Sequence, residues 1–257
     1  MQKLLFLGTC AADFSAKLSG ECADRFDADA RRASCALFDG HFMIDCGPHC
    51  LDSLRIAACD PAQITDVFVT HLHDDHFDLQ NLAMIAAAGD RVLHVWVRED
   101  ADLPPIERVV WKKMKLYHRY AFADGYTVTG VDANHDQSFY PQWLLLEHDG
   151  KKLLYATDGG WFIHAAYCYL QNAKLDCMVL DATCGDYLGD YRMGEHNSIP
   201  MIRLMLPSLC SFGVIDADTK VVLTHIAPSL HQPHDQIQAS VEKDHMIVAY
   251  DGMLLSV

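Results

Sequence analysis

Residues 66–76 read DVFVTHLHDDH, in which a short apolar run with strand character leads directly into three histidines and two aspartates. Successive side chains of an extended segment point to opposite faces, so positions i and i+2 share one side. His71 and His73 can therefore face one ion, and the turn that follows lets Asp75 and His76 reach a second. Neutral imidazole and carboxylate are ligands of zinc, iron and manganese. Four such side chains within six residues predict a metal site.

Several later strand-like segments also end in potential ligands. His135 comes after TVTGVDA, Asp158 after KKLLYAT and His225 after KVVLT, and DCMVLDA leads towards His196. Sheet ends are common positions for catalytic groups, because loops there are held by a rigid scaffold. A lone histidine after a strand is more often a surface or capping residue. The dense cluster at 71–76 is what makes these later positions candidates.

Composition limits the class of protein. The chain has 257 residues, of which 51% are apolar, so a folded core is expected and disorder is excluded as the main state. An apolar run of ~18 residues, which a transmembrane helix needs, does not occur. The first residues hold too short an apolar stretch for a secretory signal. We expect one domain spanning 1–257, located in the cytoplasm and not associated with a membrane.

Charge and cysteine usage narrow the expected partners. The formal net charge is −15, and the chain lacks a Lys/Arg cluster, so general nucleic-acid binding is not expected. A small anionic substrate held at a local positive site is compatible with this balance, and so is a homodimer. The ten cysteines include no CxxC pair, and in the cytoplasm we expect reduced, buried thiols. Cys46 and Cys50, which flank His49, are the nearest approach to a structural zinc site.

Three Asp-Gly pairs, at 39–40, 149–150 and 251–252, each separate two β-rich runs. An Asp-Gly pair in this setting is a strong hairpin signal, so all three predict hairpins. Helical segments lie between these hairpins, and the combination predicts a layered α/β protein with at least two sheets.

Two helices and one long loop are predicted from the spacing of residue types. Ile106, Val109, Val110 and Met114 would form one face of the first helix, which has two prolines in its first turn. The second helix would begin at Asn197 or Ser198 as N-cap and bury Ile202, Leu206 and Leu209. The polar stretch 11–34 is too long for a simple connection. Its Arg25, Arg31 and Arg32 would contact a phosphate or lie on a solvated surface.

The segment THLHDDH matches the HxHxDH signature of the metallo-β-lactamase superfamily, and the chain resembles that family along nearly its whole length. The resemblance extends to FLGT near the start, to Ile44-Asp45-Cys46-Gly47 and to Gly194-Glu195-His196-Asn197. One departure is Asp78, which stands where the family commonly has a glycine. The resemblance implies an αββα sandwich, in which two mixed β-sheets pack face to face with helices on the outer faces.

The resemblance also implies a centre of two divalent metal ions, zinc or manganese in the first place and iron as a further choice. The residues that match the family's ligands are His71, His73 and His135 for the first ion, Asp75, His76 and His225 for the second, and Asp158 between them. His196 and Asp75 are the catalytic candidates. Asp45 is expected to orient a liganding histidine or its loop through a hydrogen bond.

A metal pair of this kind implies hydrolysis by a hydroxide shared between the ions. This agrees with the lack of a GxSxG nucleophile motif. Histidine suits the protonation of a leaving oxygen, because its ordinary pKa is about 6.5. His196 would take that role, and its alternative role is to cap the following helix. Tyr187, Tyr191 and Arg192 are secondary candidates for a substrate wall.

Within the superfamily, the chain is most similar to the phosphodiesterase branch. That branch includes the tRNA 3′-processing endonucleases and the cyclic ribose-phosphate phosphodiesterase of the carbon–phosphorus lyase pathway. The resemblance rests on four stretches: FLGT, Arg31-Arg32-Ala33-Ser34, Leu180-Asp181-Ala182-Thr183 and Gly194-Glu195-His196-Asn197. A long basic arm for clamping RNA is not evident, so a small phosphodiester, cyclic or not, is favoured over tRNA. Hydrolysis of a lactone, thioester or β-lactam, tRNA 3′ processing, and metal binding without catalysis are the alternatives.

Overall fold

The computed structural model describes residues 2–187, 189 and 191–257, and in these residues fourteen strands form two seven-stranded sheets. The described chain divides into two compact units. The first comprises the chain up to Met114 together with Ser138–Tyr140 and Tyr250–Ser256, and the second comprises Lys115–Gln137, Pro141–Ala249 and Val257. Each sheet belongs to one unit.

The first unit is built on a mixed sheet with the strand order β14-β1-β2-β3-β4-β5-β6. Its strands are β1 (Lys3–Gly8), β2 (Cys35–Phe38), β3 (Phe42–Ile44), β4 (Asp66–Phe68), β5 (Leu93–Arg98), β6 (Val109–Met114) and β14 (Leu254–Ser256), and its helices are α1 (Cys50–Ile56) and α2 (Leu79–Ala88). β14 to β3 pair antiparallel, and β3 to β6 pair parallel. The apolar side chains Leu7, Val67 and Val95 are buried in its core.

The second unit repeats this plan with the strand order β13-β12-β11-β10-β9-β8-β7. Its strands are β7 (Arg119–Ala121), β8 (Thr127–Asp132), β9 (Gln142–His148), β10 (Lys151–Ala156), β11 (Cys177–Asp181), β12 (Lys220–Thr224) and β13 (Met246–Val248), and its helices are α3 (His164–Leu170), α4 (Ile199–Ser211) and α5 (His234–Val241). β10 to β13 are parallel, so their carboxyl ends meet at one edge. Candidate residues after β10, β11 and β12 are therefore brought to the same edge.

Two of the three predicted hairpins are present. In the Asp39-Gly40 and Asp149-Gly150 turns both residues have positive φ, which the tight turn between two twisted strands requires. The third hairpin prediction, at Asp251-Gly252, is wrong, because β13 and β14 belong to different sheets. Asp251 lacks the positive φ of the other two aspartates, and its buried carboxylate accepts hydrogen bonds from other parts of the first unit.

The predicted helix through Val109 and Met114 is also wrong, since this segment is strand β6. Val109 and Val110 are β-branched and favour a strand wherever a neighbouring strand offers its free edge. β5 offers that edge, and the two strands pair in parallel from Leu93–Val109 to Arg98–Met114. The helical spacing of apolar residues was thus outweighed by long-range pairing. The second predicted helix, α4, is confirmed, with Ser198 as its N-cap.

Arg32 holds the long polar loop in place. Its buried guanidinium donates hydrogen bonds to the main-chain oxygens of Cys22, Ala23 and Arg25 at 2.6, 3.3 and 3.1 Å. Arg31 is also buried and donates to the Thr9 hydroxyl at 2.7 Å. Neither predicted role, phosphate contact or solvated surface, describes these two arginines, because their charged groups stabilise the loop from within.

The buried carboxylate of Asp251 predicts a pH-dependent contribution to stability. Thr9 Oγ1 and the Arg32 amide donate to it at 2.8 and 2.6 Å. Burial raises the pKa of Asp251 to about 6, although the Arg32 amide and the Arg31 charge oppose the shift. A raised carboxyl pKa means that the folded state keeps a proton that the unfolded state has lost. The free energy of unfolding should therefore fall as the pH rises from about 4 to about 6.

The Asp251→Asn substitution removes this titration. Between about pH 4 and pH 7, the stability of the variant relative to wild type should rise by about 3 kcal/mol, the free energy that corresponds to the pKa shift. Urea unfolding of both proteins across this range measures the difference, and groups common to both cancel. A stability difference that does not change with pH would show that Asp251 is ionised throughout.

Among the described residues, no helix is long and apolar enough to cross a bilayer.

Candidate metal centre

The first unit gathers the histidines of the HxHxDH segment just beyond β4. His71 Nε2 lies 2.9 Å from His73 Nδ1, and the ring centroids of His71 and His76 are 4.3 Å apart. The Asp75 carboxylate lies 3.4 Å from His76 Nε2. His71 and His76 are buried, and His73 and Asp75 are more accessible. The four side chains therefore lie close together within this unit.

Asp45 fixes the orientation of this cluster from beneath. It directly follows β3 and is fully buried, and its carboxylate accepts hydrogen bonds from the Thr70 amide at 2.7 Å and from His76 Nδ1 at 2.7 Å. Burial raises the pKa of Asp45, against the opposing effect of His76 and Thr70. Because Nδ1 of His76 is bound to Asp45, Nε2 is the ring nitrogen left for a metal. The hydrogen bond predicted for Asp45 is therefore present.

Gly47 allows the main chain to pass directly against the ligand loop. A Cβ atom at this position would lie 2.0 Å from the main-chain oxygen of Asp75, so no other residue fits without displacement. The main-chain amide of the neighbouring Cys46 donates to the His76 carbonyl, and the Cys46 carbonyl accepts from the Asp78 amide, both at 2.8 Å. Asp78, the departure from the family pattern, caps α2 by accepting from the amides of its first turn.

Gly47→Ala should therefore disturb the ligand loop. We expect a loss of about 3 kcal/mol or more in the free energy of unfolding, because the clash is with main chain that cannot rotate away. The matched control is Gly194→Ala, in the 3-10 helix Tyr191–Gly194, where a Cβ atom would meet nothing within 4 Å and φ is not in the left-handed region. Thermal and urea unfolding of both variants measure the effect. Equal stability of the two variants would contradict the close approach at Gly47.

A structural zinc at Cys46 and Cys50 finds no support. The two buried sulfur atoms are 3.4 Å apart, but His49 Nδ1 accepts a hydrogen bond from the Ala33 amide at 3.2 Å. Among the described residues, no cysteine takes part in a group of three or more potential ligands. Both cysteines are buried as predicted. The hydrogen bond with Cys50 and burial raise the pKa of the Cys46 thiol.

The second unit brings four ionisable side chains together at the carboxyl ends of β10, β11 and β12. Asp158, Asp181, His196 and His225 each offer a ligand atom within 4.8 Å of the others. His225 Nε2 lies 3.0 Å from Asp158 Oδ2, and the opposite nitrogen, Nδ1, lies 2.7 Å from Thr183 Oγ1. Sequence reasoning predicted Asp158 and His225 as metal ligands, but it used Asp181 and Thr183 only as part of a stretch that resembles the family and gave them no chemical role. The signals that could have found them were that resemblance and a carboxylate at the end of an apolar strand.

Asp181 links the two histidines. Its carboxylate is fully buried, 2.8 Å from His196 Nδ1 and 3.4 Å from His225 Nδ1. Burial by itself raises the pKa of Asp181, but attraction to His196 and hydrogen bonds from His196 and His225 outweigh it and hold the pKa below its usual range. Conversely, burial lowers the pKa of His196, but Asp181 outweighs this effect and raises it. His196 is thus poised to carry a proton.

His196 does not cap α4, because that position belongs to Ser198. The alternative prediction for His196 is therefore wrong. His135, the remaining predicted ligand of this unit, has its ring centroid 5.1 Å from that of His196, and its Nδ1 lies 3.4 Å from the Glu195 carbonyl. It is largely buried.

The chain turns sharply at three of these positions. Asp45, Asp158 and His225 have φ values of 61°, 47° and 55°, in the left-handed region that residues other than glycine seldom adopt. Each follows a strand end, so the turn directs a polar side chain away from the path of the strand. Strained backbone of this kind is common at functional sites, where surrounding contacts hold it in place.

Both clusters have the chemistry of a divalent metal site. Their donors are imidazole nitrogens and carboxylate oxygens, which suit zinc, manganese and iron. His76 and His225 each have Nδ1 engaged with a protein oxygen, from Asp45 and Thr183 respectively. Their Nε2 atoms face the carboxylates of Asp75 and Asp158, which are potential ligands themselves. This support for liganding histidines is typical of metal centres. The residues present therefore fit metal binding.

The two mixed sheets, with histidine–carboxylate clusters beyond their parallel strands, have the architecture of a metal-binding protein. A family model described as the β-lactamase superfamily domain matches residues 41–226. The chain belongs to the metallo-β-lactamase superfamily, whose members are metal-dependent hydrolases. No curated protein sequence is similar enough to match this chain.

Solved structures share the fold at low sequence identity. The metallo-β-lactamase fold protein YhfI from Bacillus subtilis is 14% identical over 99% of this chain and 98% of its own, with a TM-score of 0.75. A new diphosphatase from the PhnP family is 17% identical over 100% and 98%, with a TM-score of 0.73. Zn²⁺-bound PqqB from Methylobacterium extorquens is 16% identical over 99% and 100%, with a TM-score of 0.72. The predicted αββα fold class is confirmed.

Proposed function

We propose that the protein is a dinuclear-metal phosphodiesterase that acts on a small anionic phosphodiester. The observation that carries the proposal is the buried Asp181 carboxylate, which holds His196 and lies beside His225 within the second unit. It couples a histidine suited to proton transfer to a histidine suited to metal binding. A hydrolase that leaves nucleophile formation to metal ions still needs such a proton donor.

The proposed metal ligands are the seven residues predicted from the sequence: His71, His73, Asp75, His76, His135, Asp158 and His225. Support comes from membership of the superfamily and from the two clusters, each of which has buried donors and hydrogen-bonded backing. When bound, two such ions lower the pKa of a shared water and stabilise negative charge on the substrate. The donor set favours zinc or manganese and accepts iron.

The chain's own residues would handle the proton transfers. Asp181 holds His196 through Nδ1, so the proton would leave from Nε2 to the departing oxygen of the substrate. Burial lowers the pKa of His196, but the Asp181 carboxylate outweighs burial and raises it, which favours the protonated ring that a proton donor needs. Asp75, with its carboxylate 3.4 Å from His76 Nε2, is the proposed acceptor for the proton of the attacking water.

A substrate panel tests the proposed reaction. Protein purified without added metal is loaded with zinc or manganese and assayed against bis-p-nitrophenyl phosphate and 2′,3′-cyclic nucleotides. We expect metal-dependent turnover that a chelator abolishes. Parallel assays with a homoserine lactone, nitrocefin and a tRNA precursor address the alternatives. Inactivity on the phosphodiesters together with cleavage of a lactone, β-lactam or tRNA would replace the proposal with that activity.

A further inference from the structure

A cavity of about 420 Å³ lies in the second unit, next to the loops that carry the proposed catalytic groups. One wall comes from the segment after β11, which includes Asp186 and Tyr187 and continues to His196. Another comes from the segment after β12, which begins with His225 and includes Gln232. α5 supplies the third wall. Crevices beyond the carboxyl ends of parallel strands are common ligand sites, and this volume is within their usual range.

Close contacts between the two loops make the cavity a fixed feature. Gly185 has a φ of 55°, and a Cβ atom there would lie 2.3 Å from the Leu230 main-chain oxygen. His231 Nε2 lies 2.7 Å from the Ala182 oxygen, and the Ile199 amide donates to the Gly185 oxygen at 2.8 Å. These contacts fasten both loops to each other and to the start of α4. His231 thus has a structural role beside the cavity.

The lining is polar but not basic. Among the described lining residues there is no lysine or arginine, and Asp186 is the only carboxylate. Gln232 and Gln236 present side-chain amides at the rim, and Ile237 gives an apolar floor. The Tyr187 ring is 51% exposed beside them. His231, the one imidazole among the described lining residues, is held through Nε2 by the Ala182 oxygen. With no lysine or arginine for a phosphate, the tyrosine ring and the two amides favour an uncharged, flat ligand with hydrogen-bonding edges.

A nucleoside has these properties. Its base can stack on a tyrosine ring, a glutamine amide can pair with the base edge, and a carboxylate can accept hydrogen bonds from ribose hydroxyls. We infer that the cavity binds the nucleoside part of the phosphodiester substrate. This inference rests on the proposed function and narrows the substrate class to nucleotide esters.

The test fills the cavity from an exposed position on α5. Gln236→Trp places an indole at the rim, and Ala239→Trp adds the same group to an exposed position of α5 that does not line the cavity. Adenosine, which carries no phosphate, is titrated into each metal-loaded protein by calorimetry and saturation-transfer NMR. We expect Gln236→Trp to weaken adenosine binding about 10-fold or more, while Ala239→Trp matches wild type.

Steady-state kinetics distinguish a loss of nucleoside binding in the cavity from a loss of the hydrolytic reaction itself. With the p-nitrophenyl ester of adenosine 5′-monophosphate, Gln236→Trp should raise KM about 10-fold with kcat unchanged, because only uniform binding is lost. With bis-p-nitrophenyl phosphate it should behave as wild type. Tyr187→Ala removes the stacking ring instead of adding one, and it should show the same pattern. This second variant keeps the test valid if the indole of Gln236→Trp disturbs folding.

The possible failures are distinct. If wild type hydrolyses both esters, and Gln236→Trp and Tyr187→Ala both match Ala239→Trp in KM and in adenosine affinity, the nucleoside site is overturned and the phosphodiesterase stands. If wild type hydrolyses neither ester under any metal, the proposed function fails, whatever the adenosine titration shows. A loss of activity by Gln236→Trp on both esters equally would also overturn the cavity's specific role.

Discussion

Asp158→Ala is expected to lower the metal content of the protein from about two ions per chain to one or fewer, and to reduce phosphodiester hydrolysis on the order of 10³-fold or more. Asp158 Oδ2 lies 3.0 Å from His225 Nε2 in a buried setting, and the proposed site makes its carboxylate a ligand of both ions. Removing it takes away a negative charge that balances two cations. Elemental analysis and the phosphodiester assay measure the two effects together.

Two further variants make this result specific. Asp158 has a φ of 47°, a conformation that alanine tolerates poorly and asparagine tolerates better. Asp158→Asn therefore tests the loss of charge with little backbone strain, and it should also lose metal. Asp102→Ala removes an exposed carboxylate and should leave metal content and activity unchanged. Full metal content in both Asp158 variants would contradict the proposed centre.

His196→Ala is expected to lower kcat by about 10²–10⁴-fold while metal content stays at wild-type level. The reason is that His196, held through Nδ1 by Asp181 at 2.8 Å, is the proposed proton donor to the leaving oxygen. The effect should depend on the leaving group. A 2′,3′-cyclic nucleotide releases an alkoxide that needs a proton, whereas bis-p-nitrophenyl phosphate releases a stable phenolate and should be affected much less.

The same variant distinguishes an acid from a metal ligand. His196 also has a ligand atom within 4.8 Å of those of Asp158 and His225, so a fall in metal content would assign it to the metal instead. Asp181→Asn should mimic His196→Ala in part, because it removes the attraction that raises the His196 pKa. His164→Ala, at an exposed histidine of α3, is the control. An equal loss of rate with both leaving groups would contradict the role of His196 as acid.

Local spacing predicted those parts of the fold that depend on neighbouring residues. The Asp39-Gly40 and Asp149-Gly150 turns formed because two adjacent residues can adopt positive φ there. Helix α4 began at Ser198 because a serine hydroxyl can accept from the amide of Met201 three residues later. The convergence of His71 and His73 followed in the same way from the alternation of an extended chain.

Where a distant partner decides the outcome, the spacing misled. Val109–Met114 has a helical apolar pattern but pairs with β5, because an open strand edge offers hydrogen bonds along the whole segment. Asp251-Gly252 has the sequence of a hairpin turn, but the Asp251 carboxylate accepts hydrogen bonds from Thr9 and Arg32, more than two hundred positions earlier in the chain. Neither partner can be read from the segment itself.

The amino-acid order alone thus predicted a set of candidate metal ligands, since imidazole and carboxylate keep their chemistry wherever they lie, and the HxHxDH spacing brings four of them together. Only the tertiary structure decided what supports them. Asp181 reaches both His196 and His225, and Asp45 and His225 turn at positive φ. The physical reason is that these contacts join strands that are adjacent in a sheet but far apart in sequence, so packing rather than local spacing sets them.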